Sequence, residues 1–358
     1  MKRERLVVVI AGRNLGDIVV LSGALSQLAA SGYADRYIVW TRPQMEFVFQ
    51  NLPNFEVTCS AFPVGTRKGF DLPGIRGFFT SAKRIRSLRP SVSLDFVGDF
   101  RERGFAQLIG SACHHHIGWE SGHPHANLIR NPFGTGRPIV VVPKTVVNVY
   151  DAHDLMIRAL LGEFGYRCAT PGSTLRTTGA LSSQEYRVGL HPFASQLCKV
   201  WPDENWRHLA EQLLAAGYTV RVFCAPNERR VLGRIFGTLV DRVVVISGSL
   251  PEFAEAVTRL DLLIGLDSFA VHLAHWARVP SITINAGTPE RLWAVPSGCT
   301  LAASGGCEHY PCYNRAPCRG TTYENACVRA IGESEVRGAV EMMRSRSMTL
   351  SDENHVVT

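Results

Sequence analysis

The sequence predicts an α/β protein built from two doubly wound domains with parallel sheets. Three observations support this fold class: a length of 358 residues, β-branched runs that alternate with helical repeats of apolar residues, and a central stretch rich in Pro, Gly, Ser and Thr. The length exceeds one ordinary core and suits two domains of about 150 residues each. Strands that alternate with helices form parallel sheets that helices cover on both faces.

The first half shows this alternation from its beginning. A β-branched run at residues 6–10 ends in a Gly-containing loop, and apolar residues from Ile18 onward repeat with helical period. Residues 118–143 are rich in Gly, Pro, His and Asn and predict mainly a loop. The other elements predicted in this half are strands at 37–40, 55–59, 92–96 and 117–119 and helices at 44–51, 75–88, 101–109 and 151–164.

The stretch at residues 169–183 predicts an interdomain hinge. The domains are therefore expected at residues 1–175 and 184–332, followed by a C-terminal helix and a frayed tail over 333–358. Two Rossmann-like halves of this kind are expected to face a central cleft, with ligands at the carboxyl ends of the strands. The second half predicts strands at 186–190, 219–224, 242–246, 262–265 and 281–284 and helices at 204–216, 228–239, 251–259, 269–277 and 333–343.

Composition narrows the class of protein. Hydrophobic residues make up 46% of the chain and charged residues 19%, which excludes a disordered chain. The apolar run near the amino terminus is shorter than a signal segment, and no stretch approaches the roughly 18 apolar residues of a membrane span. We therefore expect a cytoplasmic protein whose ten cysteines are reduced thiols or metal ligands.

Part of the net charge of +7 is concentrated in residues 63–90, where seven basic residues accompany one acid. Arg76, Lys83 and Arg84 lie on the helix predicted in this segment. A solvated helix face and a site for an anionic acceptor or anionic lipid headgroups account equally well for this pattern. Nucleic acid is a weaker option because the segment lacks interleaved aromatic residues.

Three motifs fall where predicted strands end. Gly16-Asp17 follows the first strand, and Asp17 suits either a helix cap or a base that accepts a proton from a hydroxyl. Lys199 follows the first strand of the second half, where a small-residue loop is typical of a diphosphate site. Asp267 and Ser268 suit the cap of a helix whose N-terminus could hold a phosphate, and His272 lies one turn further along.

Taken together, the three motifs resemble glycosyltransferase family 9, the ADP-heptose:lipopolysaccharide heptosyltransferase family. The family carries an early Gly-Asp, a Lys-x-Trp-Pro, and an Asp-Ser-Gly-x-x-His-Leu-Ala helix start. The chain has Gly16-Asp17, then Lys199-Val200-Trp201-Pro202, then Asp267-Ser268-Phe269-Ala270-Val271-His272-Leu273-Ala274, in the same order. The likeness covers residues 6–336, and Phe269 departs from it because the family has Gly where backbone approaches the ligand.

The resemblance implies a GT-B type fold and a role for each motif. The N-terminal domain would bind the acceptor, with Asp17 as general base. The C-terminal domain would bind a nucleotide-diphosphate sugar, with Lys199 on the phosphates. Asp267, Ser268 and His272 would hold the diphosphate and the sugar, and Glu228 would bind the ribose.

The reaction that this implies is an inverting displacement at the anomeric carbon, with charge growing on the departing diphosphate. The sequence contains no Asp-x-Asp motif of the kind that binds a metal–nucleotide complex, so we expect neither a catalytic metal nor another cofactor. The Cys-rich loop at residues 299–327 contains Cys307, Cys312, Cys318 and Cys327. Their spacing does not match paired Cys-x-x-Cys zinc sites, so free thiols are favoured over a metal.

The function expected is transfer of a heptose-type sugar, with ADP-heptose as donor, to the lipopolysaccharide core or a related surface glycan. The acceptor would be an anionic glycan or glycolipid, and a peripheral contact with the inner membrane face stays open. Alternatives are a protein acceptor such as an autotransporter, and a binding protein of the same fold without catalysis. Neither half shows Gly-x-Gly-x-x-Gly, which disfavours a nicotinamide oxidoreductase. A histidine-rich motif, residues 114–116 with His123 and His125, is expected to form a polar edge near the acceptor site and is favoured in that role over a metal site.

Overall fold

The structure is a computed structural model that describes residues 4–63, 72–129, 137–163, 185–302, 307–313 and 315–355. The chain divides into two compact units, Met1–Ser173 and Thr174–Thr358. The predicted hinge at residues 169–183 lies outside the described residues.

Unit 1 contains one six-stranded parallel sheet with the order β3-β2-β1-β4-β5-β6. β1 and β4 are neighbours, so the chain turns outward in opposite directions from this point, as in doubly wound folds. The elements are β1 (Leu6–Ala11), α1 (Leu15–Ala30), β2 (Arg36–Thr41), β3 (Phe55–Cys59), α2 (Leu72–Ser87), β4 (Val92–Asp95), α3 (Phe100–Ile109), β5 (Cys113–Trp119), β6 (Val140–Val142) and α4 (Val149–Glu163).

Unit 2 repeats the same connectivity. Its sheet has the order β12-β11-β10-β7-β8-β9, and β7 and β10 meet where β1 and β4 meet in unit 1. The elements are β7 (Arg187–His191), α5 (Asp203–Ala215), β8 (Thr219–Cys224), α6 (Leu232–Phe236), β9 (Val244–Ser247), α7 (Leu250–Val257), β10 (Leu262–Leu266), α8 (Phe269–Trp276), β11 (Ser281–Asn285), β12 (Gly298–Ala302), α9 (Ala326–Arg329) and α10 (Glu333–His355).

Each sheet packs against helices through a separate apolar core. In unit 1, Trp40 of β2 stacks on Phe78 of α2 with ring centroids 4.8 Å apart, and Phe62 and Phe105 complete the cluster. In unit 2, Trp201 and Trp206 are both fully buried, with ring centroids 5.1 Å apart. Trp201 also donates its indole N–H to the carbonyl of Ile331 at 2.8 Å, which connects the loop after β7 to the segment before α10.

Local signals set the ends of several helices. Asp99 caps α3 by accepting from the amide of Arg101 at 3.1 Å, and Gly110 ends that helix in the left-handed conformation. Ser249 and Glu252 form a capping box at the start of α7, with Glu252 accepting from the Ser249 amide at 2.8 Å.

The predicted fold class of two parallel α/β domains is confirmed, and most predicted elements lie within a few residues of the observed ones. The helix predicted at residues 44–51 is instead a short 3-10 helix, Glu46–Val48, because Gln44 adopts a positive φ and Pro43 and Pro53 bound the segment. The helix predicted at 228–239 breaks at Gly237, whose φ is +56°.

Three further differences concern strands and the C-terminus. β6 and β12 are edge strands that the sequence did not predict. The stretch assigned to a frayed tail continues α10 as far as His355, since neither Gly nor Pro interrupts it after Gly338. Among the described residues, no helix is both long and apolar enough to cross a membrane.

Candidate functional site

In each unit, a buried ion pair joins the two loops that follow the neighbouring central strands. In unit 1, Arg13 follows β1 and Asp99 follows β4, with Arg13 Nη2 3.0 Å from Asp99 Oδ2. In unit 2, Lys199 follows β7 and Asp267 follows β10, with Lys199 Nζ 2.6 Å from Asp267 Oδ2. Both pairs lie at the carboxyl edge of a sheet at its topological switch point, the place where doubly wound folds bind ligands.

The unit 2 pair is almost fully enclosed. The side chains of Lys199 and Asp267 are 11% and 5% exposed, and Lys199 Nζ also donates to the Asp267 carbonyl at 3.2 Å. Burial by itself raises the pKa of Asp267, but the charge and hydrogen bond of Lys199, together with His272 and Thr288, hold the pKa below its usual value. Asp267 therefore stays ionised and keeps the ammonium group at the edge of the sheet.

Three polar residues to which the sequence analysis assigned no role lie behind Asp267. Thr288 Oγ1 donates to Asp267 Oδ2 at 3.0 Å, and Asn285 Nδ2 donates to the Thr288 carbonyl at 3.0 Å. Tyr310 Oη donates to the same carbonyl at 2.8 Å. They lie 18 to 43 residues after Asp267, and sequence spacing over that distance does not predict their hydrogen bonds around it.

The N-terminus of α8 adjoins this pair. Ser268 is the N-cap residue in extended conformation, and its hydroxyl is buried without a hydrogen-bond partner among the described residues. A helix N-terminus offers free amides and a positive dipole end, so this cap and the Lys199 ammonium form an arrangement suited to a phosphate.

His272 lies within α8 and is only 3% exposed. Burial lowers its pKa to about 4, although the charge of Asp267 acts in the opposite direction, so the ring is neutral at physiological pH. Its ring is 6.0 Å from that of Trp293 in an edge-to-face arrangement.

Phe269, the residue that departs from the family pattern, begins α8 with a half-buried side chain. Its ring centroid is 6.0 Å from that of Phe253 on α7, and Phe253 in turn contacts the buried His191 at the end of β7, at 5.6 Å. The aromatic side chain therefore packs with an aromatic row across α7 and β7.

Glu228 lies just beyond β8, the strand next to β7, and is partly buried. Its Oε2 accepts from the amide of Ala225 at 2.8 Å. Burial raises its pKa, and the Ala225 bond acts in the opposite direction. The structure thus brings Lys199, Asp267, Ser268 and His272 together and places Glu228 at the same edge, one strand further along.

Asp17 lies in the first turn of α1, directly after β1, and is partly exposed. Its Oδ2 accepts from the backbone amide and the side-chain amide of Asn14 at 3.3 and 3.2 Å. The partly buried Arg42 interacts electrostatically with Asp17 and donates its Nε to the carbonyl of Arg13. Asp17 is therefore the N3 residue of a capping box with the N-cap residue Asn14, and it also presents a carboxylate at the carboxyl edge of the sheet.

Arg13, another residue that the sequence analysis missed, forms ion pairs with two completely buried acids. It lies 3.0 Å from Asp99 and 3.2 Å from Glu102, and both carboxyl side chains are at most 1% exposed. Nearby, the buried Asp95 accepts from the amides of Val97 and Gly98 at 2.7 and 3.1 Å. Burial raises the pKa of Asp95 despite these bonds.

The three basic residues predicted to bind the acceptor lie on α2 and are all exposed. Phe79, at 54% exposure, stands on the same side of the helix as Arg76 and Lys83, while Phe78 and Ile85 are buried on the opposite side. The exposed face of α2 is thus basic with an apolar side chain in its middle.

The histidine-rich motif does not form the predicted polar edge. His116, His123 and His125 are at most 6% exposed, and residues 114–116 lie inside β5 instead of beside a strand. His116 pairs with β4 along β5, and His123 and His125 lie at the 3-10 helix Pro124–Asn127 that follows this strand.

The cysteines of the Cys-rich loop are free thiols, partly or fully buried. Cys327 interacts electrostatically with Cys307, Cys312 and Cys318, so these thiols lie near one another. Within the described part of the chain, no group of three or more His, Cys, Asp or Glu side chains is arranged to hold a metal ion.

The fold, together with the residues at the carboxyl edge of the unit 2 sheet, defines a two-domain α/β protein with a diphosphate-compatible site in its second domain. Residues 150–322 match the model of glycosyltransferase family 9 (heptosyltransferase). This match confirms the predicted resemblance to that family.

Named relatives agree with this assignment. The chain is 25% identical over 123 residues to lipopolysaccharide heptosyltransferase 3 of Escherichia coli K12, covering 33% of this chain and 36% of the relative. It is 30% identical over 100 residues to lipopolysaccharide heptosyltransferase 1 of Pseudomonas aeruginosa, covering 28% of each. The chain thus spans about a third of the length of these curated relatives.

Likeness to solved structures extends over nearly the whole chain. The E. coli heptosyltransferase WaaC, solved with ADP and with ADP-2-deoxy-2-fluoro heptose, matches with TM-scores of 0.69 and 0.65. Sequence identity is 16%, over 94% of this chain and 99% of that one. This likeness shows that the two share a fold.

Proposed function

We propose that the chain is an inverting glycosyltransferase that moves a heptose-type sugar from a nucleotide-diphosphate donor, ADP-heptose, to the lipopolysaccharide core or a related surface glycan. The observation that carries the proposal is the buried Lys199–Asp267 pair beside the unpartnered hydroxyl of Ser268 at the start of α8. The names of the relatives, and the ADP ligands in the solved heptosyltransferase, support heptose as the sugar and ADP as the carrier.

Donor binding is assigned to unit 2, which we propose as the nucleotide-sugar domain of residues 184–332. An ammonium group has three N–H donors. Lys199 directs two of them to Asp267, one to the carboxylate and one to the carbonyl. The third is left for a phosphate oxygen, and the Ser268 hydroxyl and the first amides of α8 supply further donors.

The roles of the other residues proposed to bind the sugar donor are assigned from their positions. Oε2 of Glu228 accepts from Ala225, which leaves its Oε1 for a ribose hydroxyl. The neutral ring of His272 provides a hydrogen-bonding group without adding positive charge. Asp267 is proposed to act on the diphosphate through Lys199, which its carboxylate holds by an ion pair and a hydrogen bond.

The proposed base is Asp17 of unit 1, within an acceptor-binding domain of residues 1–175. The acceptor hydroxyl loses its proton to the Asp17 carboxylate while its oxygen forms a bond to the anomeric carbon. The bond from that carbon to the diphosphate breaks on the opposite side, and the diphosphate leaves with the electron pair. Lys199 and the start of α8 stabilise the growing negative charge. We propose that this reaction proceeds without a metal ion.

The acceptor is proposed to be anionic because of α2. Arg76, Lys83 and Arg84 expose three positive charges on one helix, and Phe79 adds an apolar group among them. Such a surface suits phosphate or carboxylate groups of a glycolipid, and also anionic headgroups around it. We therefore propose a cytoplasmic enzyme that contacts the inner face of the membrane through α2.

The substitution Asp17→Asn tests catalysis separately from donor binding. Purified protein is given ADP-heptose and a truncated lipopolysaccharide core, transfer is followed by mass spectrometry, and ADP binding is measured by calorimetry. We expect transfer to fall by about 10²–10⁴-fold while the Kd for ADP stays unchanged. Asp151→Asn is the matched control, because Asp151 is an exposed acid in the first turn of another helix of unit 1, α4.

The outcomes separate the enzyme from a binding protein. Equal transfer rates in the Asp17→Asn and Asp151→Asn variants would refute Asp17 as the base. A wild-type chain that binds ADP but transfers no sugar to a glycan or protein acceptor would favour the non-catalytic alternative.

A further inference from the structure

Behind the proposed donor site, a small hydrogen-bonded group supports Asp267. We infer that Asn285, Thr288 and Tyr310 are positioning residues, which fix the Asp267 carboxylate and thereby orient the Lys199 ammonium toward a donor diphosphate. The inference rests on the proposed function, because it concerns how the same site is held in shape.

Two hydrogen-bond donors hold the Asp267 carboxylate in place. Oδ2 of Asp267 receives Lys199 Nζ at 2.6 Å and Thr288 Oγ1 at 3.0 Å. Two donors on one oxygen restrict rotation of the carboxyl group, and the direction of Lys199 depends on that orientation. All three side chains are at most 11% exposed, so water cannot readily replace a lost donor.

The backbone at Thr288 is held in turn by two side chains. Its carbonyl accepts from Asn285 Nδ2 at 3.0 Å and from Tyr310 Oη at 2.8 Å, while Asn285 Nδ2 also lies 3.2 Å from Tyr310 Oη. These contacts close a triangle around one carbonyl. They fix the turn after β11, which contains Gly287 at a φ of +81°, and so fix where the Thr288 hydroxyl points.

The same turn is also connected to the Cys-rich loop. The amide of Tyr310 donates to the carbonyl of Cys307 at 3.1 Å, and both residues pack against the core of unit 2 together with Cys327. Burial raises the pKa of Tyr310 to about 12, with further contributions from Glu290, Cys327 and Asp267. Tyr310 therefore stays protonated and remains a donor. The hydroxyl of Tyr310 thus connects the Cys-rich loop to the turn that carries Thr288.

The test compares ligands with and without phosphates. The affinities of ADP and adenosine are measured by calorimetry in the full chain, for wild type, Thr288→Val, Thr288→Ser and Tyr310→Phe. Valine keeps the shape of threonine and removes the hydroxyl, while serine restores it. We expect ADP affinity to fall about tenfold in Thr288→Val and about threefold in Tyr310→Phe, and to return in Thr288→Ser. Adenosine affinity should stay within about twofold.

Tyr323→Phe is the matched control, since Tyr323 is an exposed tyrosine in the same Cys-rich loop. Wild-type affinity for ADP in both Thr288→Val and Tyr310→Phe would overturn the inference and leave the proposed function standing. Parallel losses for ADP and adenosine, with a lower melting temperature, would also overturn it, because they indicate a general structural role. A wild-type chain that binds adenosine but not ADP would instead refute the proposed donor site itself.

Discussion

Replacing Lys199 by methionine should destabilise the protein by leaving a buried carboxylate without its cation. Methionine keeps most of the length and apolar character of the lysine stem, so the change mainly removes charge. Asp267 is 5% exposed, and Thr288 still donates to it. Breaking a buried pair costs about 3–5 kcal/mol, and the remaining donor places the expected loss near the lower end, at about 3 kcal/mol.

Urea denaturation followed by tryptophan fluorescence measures this loss, because Trp201 and Trp206 are fully buried in unit 2. The double variant Lys199→Met/Asp267→Asn should lose less than the sum of the two single variants, since each single change already removes the partner of the other group. A loss of less than about 1 kcal/mol in Lys199→Met would refute the reasoning, because solvated pairs behave in that way.

The loss of stability in Lys199→Met should also depend on pH. In the wild type the pKa of Asp267 is lowered, so its contribution to stability is present above the unfolded pKa and is lost as the pH falls through the folded pKa. Without Lys199, burial dominates and raises that pKa, so the carboxyl takes up a proton on acidification. The stability difference between wild type and Lys199→Met should therefore be largest near neutral pH and narrow toward pH 5. A difference that is constant over this range would contradict the assignment.

Three other predictions concern unit 1 and its surface. Arg13→Met leaves the buried Glu102 without its ion-pair partner, while Asp99 keeps its pair with Arg101, and should lower the free energy of unfolding by about 3 kcal/mol, measured by urea denaturation. Burial lowers the pKa of His125 to about 3 and of His153 to about 4, below the unfolded value, so stability should fall by about 2 kcal/mol for each between pH 6.5 and 5, measured by the urea midpoint. The triple variant Arg76→Gln/Lys83→Gln/Arg84→Gln should bind phosphatidylglycerol vesicles about a hundredfold more weakly in a sedimentation assay.

Matched controls accompany these three predictions. Arg36→Met removes an exposed pair with Glu56 and should cost no more than about 1 kcal/mol, so an equal loss in Arg13→Met would contradict the buried network. A urea midpoint that is flat between pH 5 and 6.5 would contradict neutral buried histidines. The control for the vesicle assay removes three exposed arginines of unit 2, in the variant Arg229→Gln/Arg230→Gln/Arg242→Gln. Equal weakening of vesicle binding by this control would show that overall charge, and not α2, governs binding.

The sequence was sufficient for most strands and helices because burial on both faces makes parallel strands continuous apolar runs. β6 was not predicted because it has only three residues, Val140–Val142, within a stretch dominated by turn formers. β12 was not predicted because it is an edge strand of half-buried residues that includes Gly298 and Cys299.

For the site, the motifs identified Lys199 and Asp267 as belonging together, but not how they interact. Family resemblance assigned Asp267 to the donor, whereas the structure shows its carboxylate bonded to Lys199. Arg13 and Asp99 are 86 residues apart, and their pairing follows only from the adjacency of β1 and β4. Such contacts depend on strand order, which the pattern of apolar residues does not specify.

The repeated position of the ion pairs bears on how new specificities can arise in this architecture. In both units the charged contact joins the two loops at the switch point, and in unit 1 both partners come from the loops after the central strands β1 and β4. Insertions or sequence drift in the segments after β3 and β5 can therefore remodel what the protein recognises while the braced centre keeps its geometry. Divergence in acceptor preference is thus compatible with an unchanged framework for the chemistry.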